Sequence, residues 1–382
     1  MPKITVLIPT FNRAEYLPEC LDSILSQTIP ATQIIVVDDG SSDNTKEILK
    51  PYKDTIEYLY TCQEGKPNAI NHGLTRISGD YLWIFDDDDV ALPDALERFV
   101  SPLEKYSEYG FSFSAFFYTS TLPKNNKIGS ILGKSDIPDL ETRGFLIPLL
   151  ESNFLGGAAL FARTYCYHKV GQFNPKLIRS QDYEMAVRIA RNFKGIQVSG
   201  GPTFHYRQHQ GTRGTSKYKF PASERHNKWL EFDQIFFRNQ YKEINLAEYL
   251  PQRKSIDNHY RQAILQRIST MASKFLLEEV ICDLKELAHL KNNAPLSKEE
   301  KNIIKKILKR KSYYFNNNND IFDVAAFCMP FIEEIRALAV SSKIIRLLRK
   351  EIVNNIISLC NLNPKKIKKY AYCILMLYLK SK

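Results

Sequence analysis

Gly79-Asp80-Tyr81-Leu82-Trp83-Ile84-Phe85-Asp86-Asp87-Asp88-Asp89 decides how this chain is read. A turn pair opens the stretch, five apolar and largely aromatic residues follow, and four consecutive aspartates close it. An apolar run of that length between turn signals reads as a buried strand. Four like charges at its end repel one another unless a cation sits among them. A hard divalent metal with oxygen ligands, holding a phosphorylated substrate, fits that requirement. A solvated acidic turn ahead of a helix starting near Pro93 is the other reading of the same residues.

Outward from this stretch, Ile4-Thr5-Val6-Leu7-Ile8, Gln33-Ile34-Ile35-Val36-Val37 and Ile56-Glu57-Tyr58-Leu59-Tyr60 read as further strands. Between them, residues 14–27 place Leu17, Leu21, Ile24 and Leu25 on one helical face. Residues 45–49 and 67–77 are also expected to be helical. Strands alternating with helices imply right-handed βαβ units and a mostly parallel sheet. Ligands of such sheets bind beyond the carboxyl ends of the strands. The loops there are Pro9-Thr10-Phe11-Asn12-Arg13, Asp38-Asp39-Gly40-Ser41-Ser42 and the four aspartates, so the polar clusters share one edge. In the second loop Gly40 permits a tight turn. Its carboxylates suit a nucleobase or ribose, and capping of the next helix by Ser42 or Asp43 is the structural alternative. Neither a G-x-G-x-x-G nor a G-K-[ST] phosphate loop occurs.

Farther on, residues 111–118 read as a strand, 122–139 as a loop and 156–161 as a strand. Residues 181–192 read as a helix with Met185, Ala186 and Ile189 on one side and Arg188 and Arg191 on the other. After about residue 220 the chain becomes helical and lysine-rich. Ser297-Lys298-Glu299-Glu300 is a capping-box start, Asn316-Asn317-Asn318-Asn319 a short linker, and Ile345, Leu348, Ile352, Ile356 and Leu359 an apolar helical stripe.

With 382 residues there is room for two domains, expected at 1–220 and 221–382. Charge divides the chain somewhat later, at about residue 250. Residues 1–250 hold 28 Lys+Arg against 30 Asp+Glu, whereas residues 251–382 hold 25 against 12. Seven scattered cysteines without a C-x-x-C pair point to reduced thiols and a cytoplasmic setting. Met1-Pro2-Lys3-Ile4 runs directly into a strand, so no signal peptide is expected, and no apolar run approaches the roughly 20 residues of a spanning helix. At the far end, Pro364-Lys365-Lys366-Ile367-Lys368-Lys369 precedes ten apolar or aromatic residues and Lys380-Ser381-Lys382. This basic amphipathic segment suits peripheral contact with an anionic membrane on its inner face. Docking on the protein's own core or in a homo-oligomer interface is the alternative. No nucleic-acid-binding motif accompanies the charge.

Taken together, the motifs resemble the family 2 glycosyltransferases of GT-A fold. The resemblance rests on Thr5 to Arg13, on Ile34-Ile35-Val36-Val37-Asp38-Asp39-Gly40-Ser41-Ser42-Asp43 and on the Gly79 to Asp89 stretch followed by Pro93. It continues through Val170-Gly171-Gln172-Phe173, Gln181-Asp182-Tyr183-Glu184 with Arg188, and Tyr206-Arg207-Gln208-His209. It covers about residues 1–215, in motif order.

The resemblance implies an inverting transferase that moves a hexosyl or N-acetylhexosaminyl group from a nucleotide-diphosphate sugar, UDP-linked by preference, to an acceptor hydroxyl. The acceptor would be a glycan or lipid-linked molecule in bacterial surface polysaccharide or glycoconjugate synthesis. It implies a donor site of Pro9, Thr10, Phe11, Arg13, Asp38, Asp39, Lys66, Asn71, Asp86 and Asp87. Asp86 and Asp88 would be the D-x-D carboxylates for Mn²⁺ or Mg²⁺, with His209 a further metal ligand, and Arg207 and Arg213 would steady the diphosphate. This chain carries Asp87 where the family usually has a small residue. It has Gln181-Asp182 where the family has Glu-Asp, which keeps Asp182 as catalytic base and removes its acidic neighbour. That loss should leave Asp182 with a lower pKa than a paired carboxylate. A catalytically degenerate nucleotide-sugar or glycan-binding module is the non-enzymatic alternative, although binding alone requires no base.

Overall fold

Residues rich in branched and aromatic side chains form strands buried on both faces, and the helices between them bury one stripe each. The computed structural model describes residues 1–209, 213–214, 219–220, 224–251, 255–290, 294–309, 325–339 and 342–362. It divides into two compact units, Met1–Leu140 with Asn153–Arg225, and Glu141–Ser152 with His226–Lys382.

The first unit begins β1 (Ile4–Thr10), α1 (Leu17–Leu25), β2 (Gln33–Asp38), α2 (Thr45–Ile48), β3 (Glu57–Tyr60), α3 (Lys66–Leu74) and β4 (Tyr81–Ile84). It continues β5 (Val90–Ala91), α4 (Ala95–Lys105), β6 (Tyr109–Phe113), β7 (Phe117–Thr121) and β8 (Ile128–Lys134). Helix α5 (Leu146–Glu151) belongs to the second unit. The first resumes with β9 (Leu160–Arg163), α6 (Thr164–Val170), α7 (Gln181–Asn192), β10 (Lys194–Gln197) and β11 (Phe204–Gln208), then the short pair β12 (Arg213–Gly214) and β13 (Lys219–Phe220).

Seven strands form one sheet in the order β10-β6-β9-β4-β1-β2-β3, with β9 antiparallel to both neighbours and every other pairing parallel. This is the GT-A type of mixed α/β fold. Register aligns Thr10 with Asp38 and Leu7 with Ile84, so the polar loops after β1, β2 and β4 emerge along one edge. Helix α3 crosses beneath β1 and β2 at very close range. A Cβ on Gly73 would stand 2.3 Å from Leu7 Cδ1, so only glycine permits the contact. Trp83, fully buried, packs against Phe85 and Phe99 and donates its indole N–H to Ala158 O at 2.7 Å.

A second sheet, β5-β11-β7-β8, joins the segment after the aspartates to the segment before His209. Three expectations are corrected here. Residues 122–139 contain strand β8, whose largely exposed residues carry no inward-facing alternation to betray it. The segment 111–118 splits between the two sheets, and 156–161 becomes a strand only from Leu160, because Gly156 turns the chain at φ +61°.

The second unit adds α8 (Arg225–Glu243), α9 (Ile256–Ser273), α10 (Leu277–His289), α11 (Lys298–Lys309), α12 (Ala325–Leu338) and α13 (Lys343–Leu362). Its core includes Leu265, Ile268, Leu284, Ile304, Phe331 and Leu348. The expected capping box is formed, with Ser297 N–H donating to Glu300 Oε2 and Glu300 N–H to Ser297 Oγ. Glu300 also accepts from Nε and Nη2 of Arg261, at 2.6 and 2.7 Å. Of the apolar stripe, Ile345, Leu348 and Ile352 are buried; the side chains of Ile356 and Leu359 lie outside the described residues. Residues 316–319 and the basic segment 364–382 lie outside them as well.

Candidate active site

The four aspartates follow β4 and divide by burial. Asp87 and Asp89 are buried, while Asp86 and Asp88 keep partial exposure. One ligand oxygen from each of Asp86, Asp88 and Asp89 lies within 4.8 Å of the others. Asp89 Oδ1 accepts the backbone N–H of Arg207 at 2.9 Å, and its Oδ2 is buried without a hydrogen-bond partner. Burial and the neighbouring Asp88 and Asp86 push Asp89 well above the carboxylate range, and burial with Asp88 pushes Asp87 up to about 7. Three convergent hard oxygen donors, one with an orphaned atom, fit a divalent cation.

The cluster differs from the expected set. Asp89 joins Asp86 and Asp88, although a D-x-D template draws attention only to the first and third of a run. Asp87 is not among the three, and the positive charge of Arg13 partly offsets the rise in its pKa. His209 stands behind the cluster: its Nε2 lies 3.0 Å from Asp88 Oδ2, and its ring packs 5.3 Å from that of Tyr16.

Arg207 is 1% exposed, so the structure corrects its expected place on a diphosphate. Its guanidinium donates to Asp88 O, Asn126 O and Glu19 Oε2, and lies over the Tyr16 ring. It therefore braces the aspartate turn from within. The side chain of Arg213 lies outside the described residues.

Pro9 and Thr10 are the buried end of β1, and Phe11 and Arg13 follow, partly exposed. Between them Asn12 adopts φ +53° and accepts the N–H groups of Ser42 and Asp43, lacing the first loop to the second. Asp38 is buried and accepts from Ser41 N–H and the Tyr58 hydroxyl, each at 2.8 Å. Asp39 accepts Thr61 Oγ1, Glu64 N–H and Gly65 N–H, which anchors the loop opening α3. Lys66, the next residue, places Nζ 2.5 Å from Asp86 Oδ1. Asn71 turns elsewhere, both ends of its amide bonding the backbone of Phe173 at 2.9 and 2.8 Å.

Asp182 sits in the first turn of α7, behind Ser180 at φ +59°. Arg188, farther along the same helix, pairs with Glu184 at 2.7 Å. A Cβ on Gly157 would stand 3.0 Å from Asp86 Oδ2 and 3.5 Å from Asp182 Oδ2, so the missing side chain opens the space that the two carboxylates share. Sequence reading passed over Gly157, which carries no chemical signal of its own. Burial raises the pKa of Asp182, Lys66 opposes the rise and Asp86 adds to it. Losing an acidic neighbour at 181 thus removes one charge, but Asp86 supplies another. Gln181 is itself buried, with Oε1 unpaired, beside a cavity of about 30 Å³ that Lys66, Asp86, Gly157 and Asp182 also line.

Convergent carboxylates thus stand at the carboxyl edge of the GT-A sheet, with a lysine among them and a further aspartate facing them. Residues 5–167 match the family described as glycosyl transferase family 2. An uncharacterized glycosyltransferase of Rickettsia conorii is 33% identical over 195 residues, covering 49% of this chain and 31% of that protein. An uncharacterized glycosyltransferase of Rickettsia typhi is 30% identical over 202 residues, covering 50% of this chain and 59% of that protein. The matches thus span less than two thirds of either relative. Among solved structures, S. aureus TarS 1-349 in complex with UDP-GlcNAc superposes with a TM-score of 0.51 at 15% identity, covering 95% of this chain and 92% of that one. At that identity the likeness concerns the fold alone.

Proposed function

We propose that this protein transfers a sugar from a nucleotide-diphosphate donor, UDP-linked by preference, to the hydroxyl of a glycan or lipid-linked acceptor, inverting the anomeric carbon. The observation that carries this reading is the facing of Asp86 and Asp182 across the open space at Gly157. One carboxylate belongs to the cation-binding cluster and the other stands alone as a proton acceptor. The donor seen with S. aureus TarS is of the same chemical kind.

Breaking the bond from the anomeric carbon to the diphosphate leaves negative charge on the departing phosphate. A divalent cation held by Asp86, Asp88 and Asp89 would neutralise that charge without proton transfer. Lys66 adds a fixed positive charge at the same place. Asp182 takes the proton of the acceptor hydroxyl as that oxygen attacks from the opposite face, a role worth about 10²–10⁴-fold in rate. Arg207 and His209 hold the aspartate turn, and Asn12 and Asp39 hold the loops that flank the donor.

A thermal-shift panel of nucleoside diphosphates and nucleotide sugars, with Mn²⁺ or with EDTA, tests the donor site. Ligand at about 100 Kd stabilises the native state by roughly 2.7 kcal/mol. The expected result is a shift with one nucleotide that EDTA abolishes. Indifference to every nucleotide in the presence of Mn²⁺ would contradict the proposal.

A further inference from the structure

Asp86 already holds a cation, and that cation is part of the chain. Lys66 Nζ lies 2.5 Å from Asp86 Oδ1, and its charge acts on Asp182 and Asp87 as well. Lys66 is the first residue of α3, and Asp39 grips the two backbone N–H groups immediately before it. The ammonium therefore reaches Asp86 from an anchored base. Burial alone favours a neutral amine, but the adjacent Asp86 carboxylate more than reverses this, so Lys66 stays charged. Asp86 is also one of the three convergent carboxylates, so one of its two oxygens is engaged before any metal arrives.

We propose that Lys66 and a divalent cation compete for Asp86, and that a donor diphosphate relieves the competition by accepting Lys66, so cation and nucleotide bind cooperatively. The identity of both ligands rests on the function proposed above. An ammonium and a dication on one carboxylate repel each other. A diphosphate offers Lys66 a partner of higher charge and frees Asp86 for the cation. Coupling of this kind is reciprocal: the factor by which nucleotide tightens the cation equals the factor by which the cation tightens nucleotide.

The test is a Mn²⁺ titration of the full chain, followed by the electron paramagnetic resonance of free Mn²⁺, with and without UDP. Wild type is compared with Lys66→Gln and Lys66→Met, with Lys66→Arg as the charge-preserving control. Circular dichroism melts establish that each variant is folded. Without UDP, the Gln and Met variants are expected to bind Mn²⁺ about tenfold more tightly than wild type, within the usual range of coupling between sites. UDP should tighten Mn²⁺ binding in every protein, because the dication meets the diphosphate directly, and about tenfold more in wild type and in Lys66→Arg than in the neutral variants. Neutral variants that bind Mn²⁺ no more tightly than wild type, or that keep its full coupling to UDP, would overturn the inference. Folded proteins that all bind UDP but no Mn²⁺ would overturn it together with the cation site. If none binds UDP, the proposed donor fails, yet the Mn²⁺ affinities measured alone still decide whether Lys66 competes.

Discussion

Asp87 and Asp89 are buried while Asp86 and Asp88 are partly open, and this difference governs what each can do. A buried acid whose pKa lies above its unfolded value holds its proton more tightly when folded. It therefore costs stability as pH rises through the interval between the two values. For Asp87 that interval runs from 3.8 to about 7. In EDTA, Asp87→Asn should thus gain in melting temperature over wild type steadily between pH 4 and 7, and no further above. A constant difference across that range would show that Asp87 is ionised throughout. The aspartate run itself was legible in sequence because four acids after an apolar strand are hard to read otherwise. Which of them converge was not legible, because the backbone N–H of Arg207, 118 positions away, orients Asp89.

At the level of elements, α3 and the loop before it carry most of the site's geometry. Asp39 satisfies two N–H groups that would otherwise lie unpaired, and leaving such donors unmet costs about 1–3 kcal/mol. Asp39→Ala should lower stability by that order and weaken nucleotide binding, since Lys66 loses its anchored base. Unchanged nucleotide affinity in a folded Asp39→Ala protein would show that the loop holds itself. Strands β1 to β4 were readable from their apolar runs, and α7 from its 3.6-residue period. Strand β8 was not, because its residues face solvent and its partner β7 supplies the order. Asn71 shows a different gap. Its position in the resemblance suggested a donor contact, while its amide fastens α3 to Phe173 through hydrogen bonds that span 102 positions.

On the scale of the whole molecule, charge and structure divide the chain in related ways. The nearly neutral front half holds the carboxylate site, and the residues after 250 carry the excess of lysine and arginine. No helix among the described residues is long and apolar enough to cross a membrane. The basic residues 364–382 instead predict binding at a surface: the full chain should co-sediment with anionic liposomes and a 1–363 chain should not. Equal behaviour of the two would remove the membrane from this account. Composition and charge change along the sequence after about residue 250. They could not show that residues 141–152 join the second unit, where Arg143 and Gln266 both bond Glu151.

In the proposed reaction Asp182 removes the acceptor's proton at a donor site built by other residues. The most direct test is a comparison of Asp182→Asn with wild type, using the nucleotide sugar selected by thermal shift and measuring both donor affinity and transfer rate. The account predicts nearly unchanged donor affinity and a rate lower by about 10²–10⁴-fold. A variant that binds donor equally well and transfers sugar at the wild-type rate would contradict it.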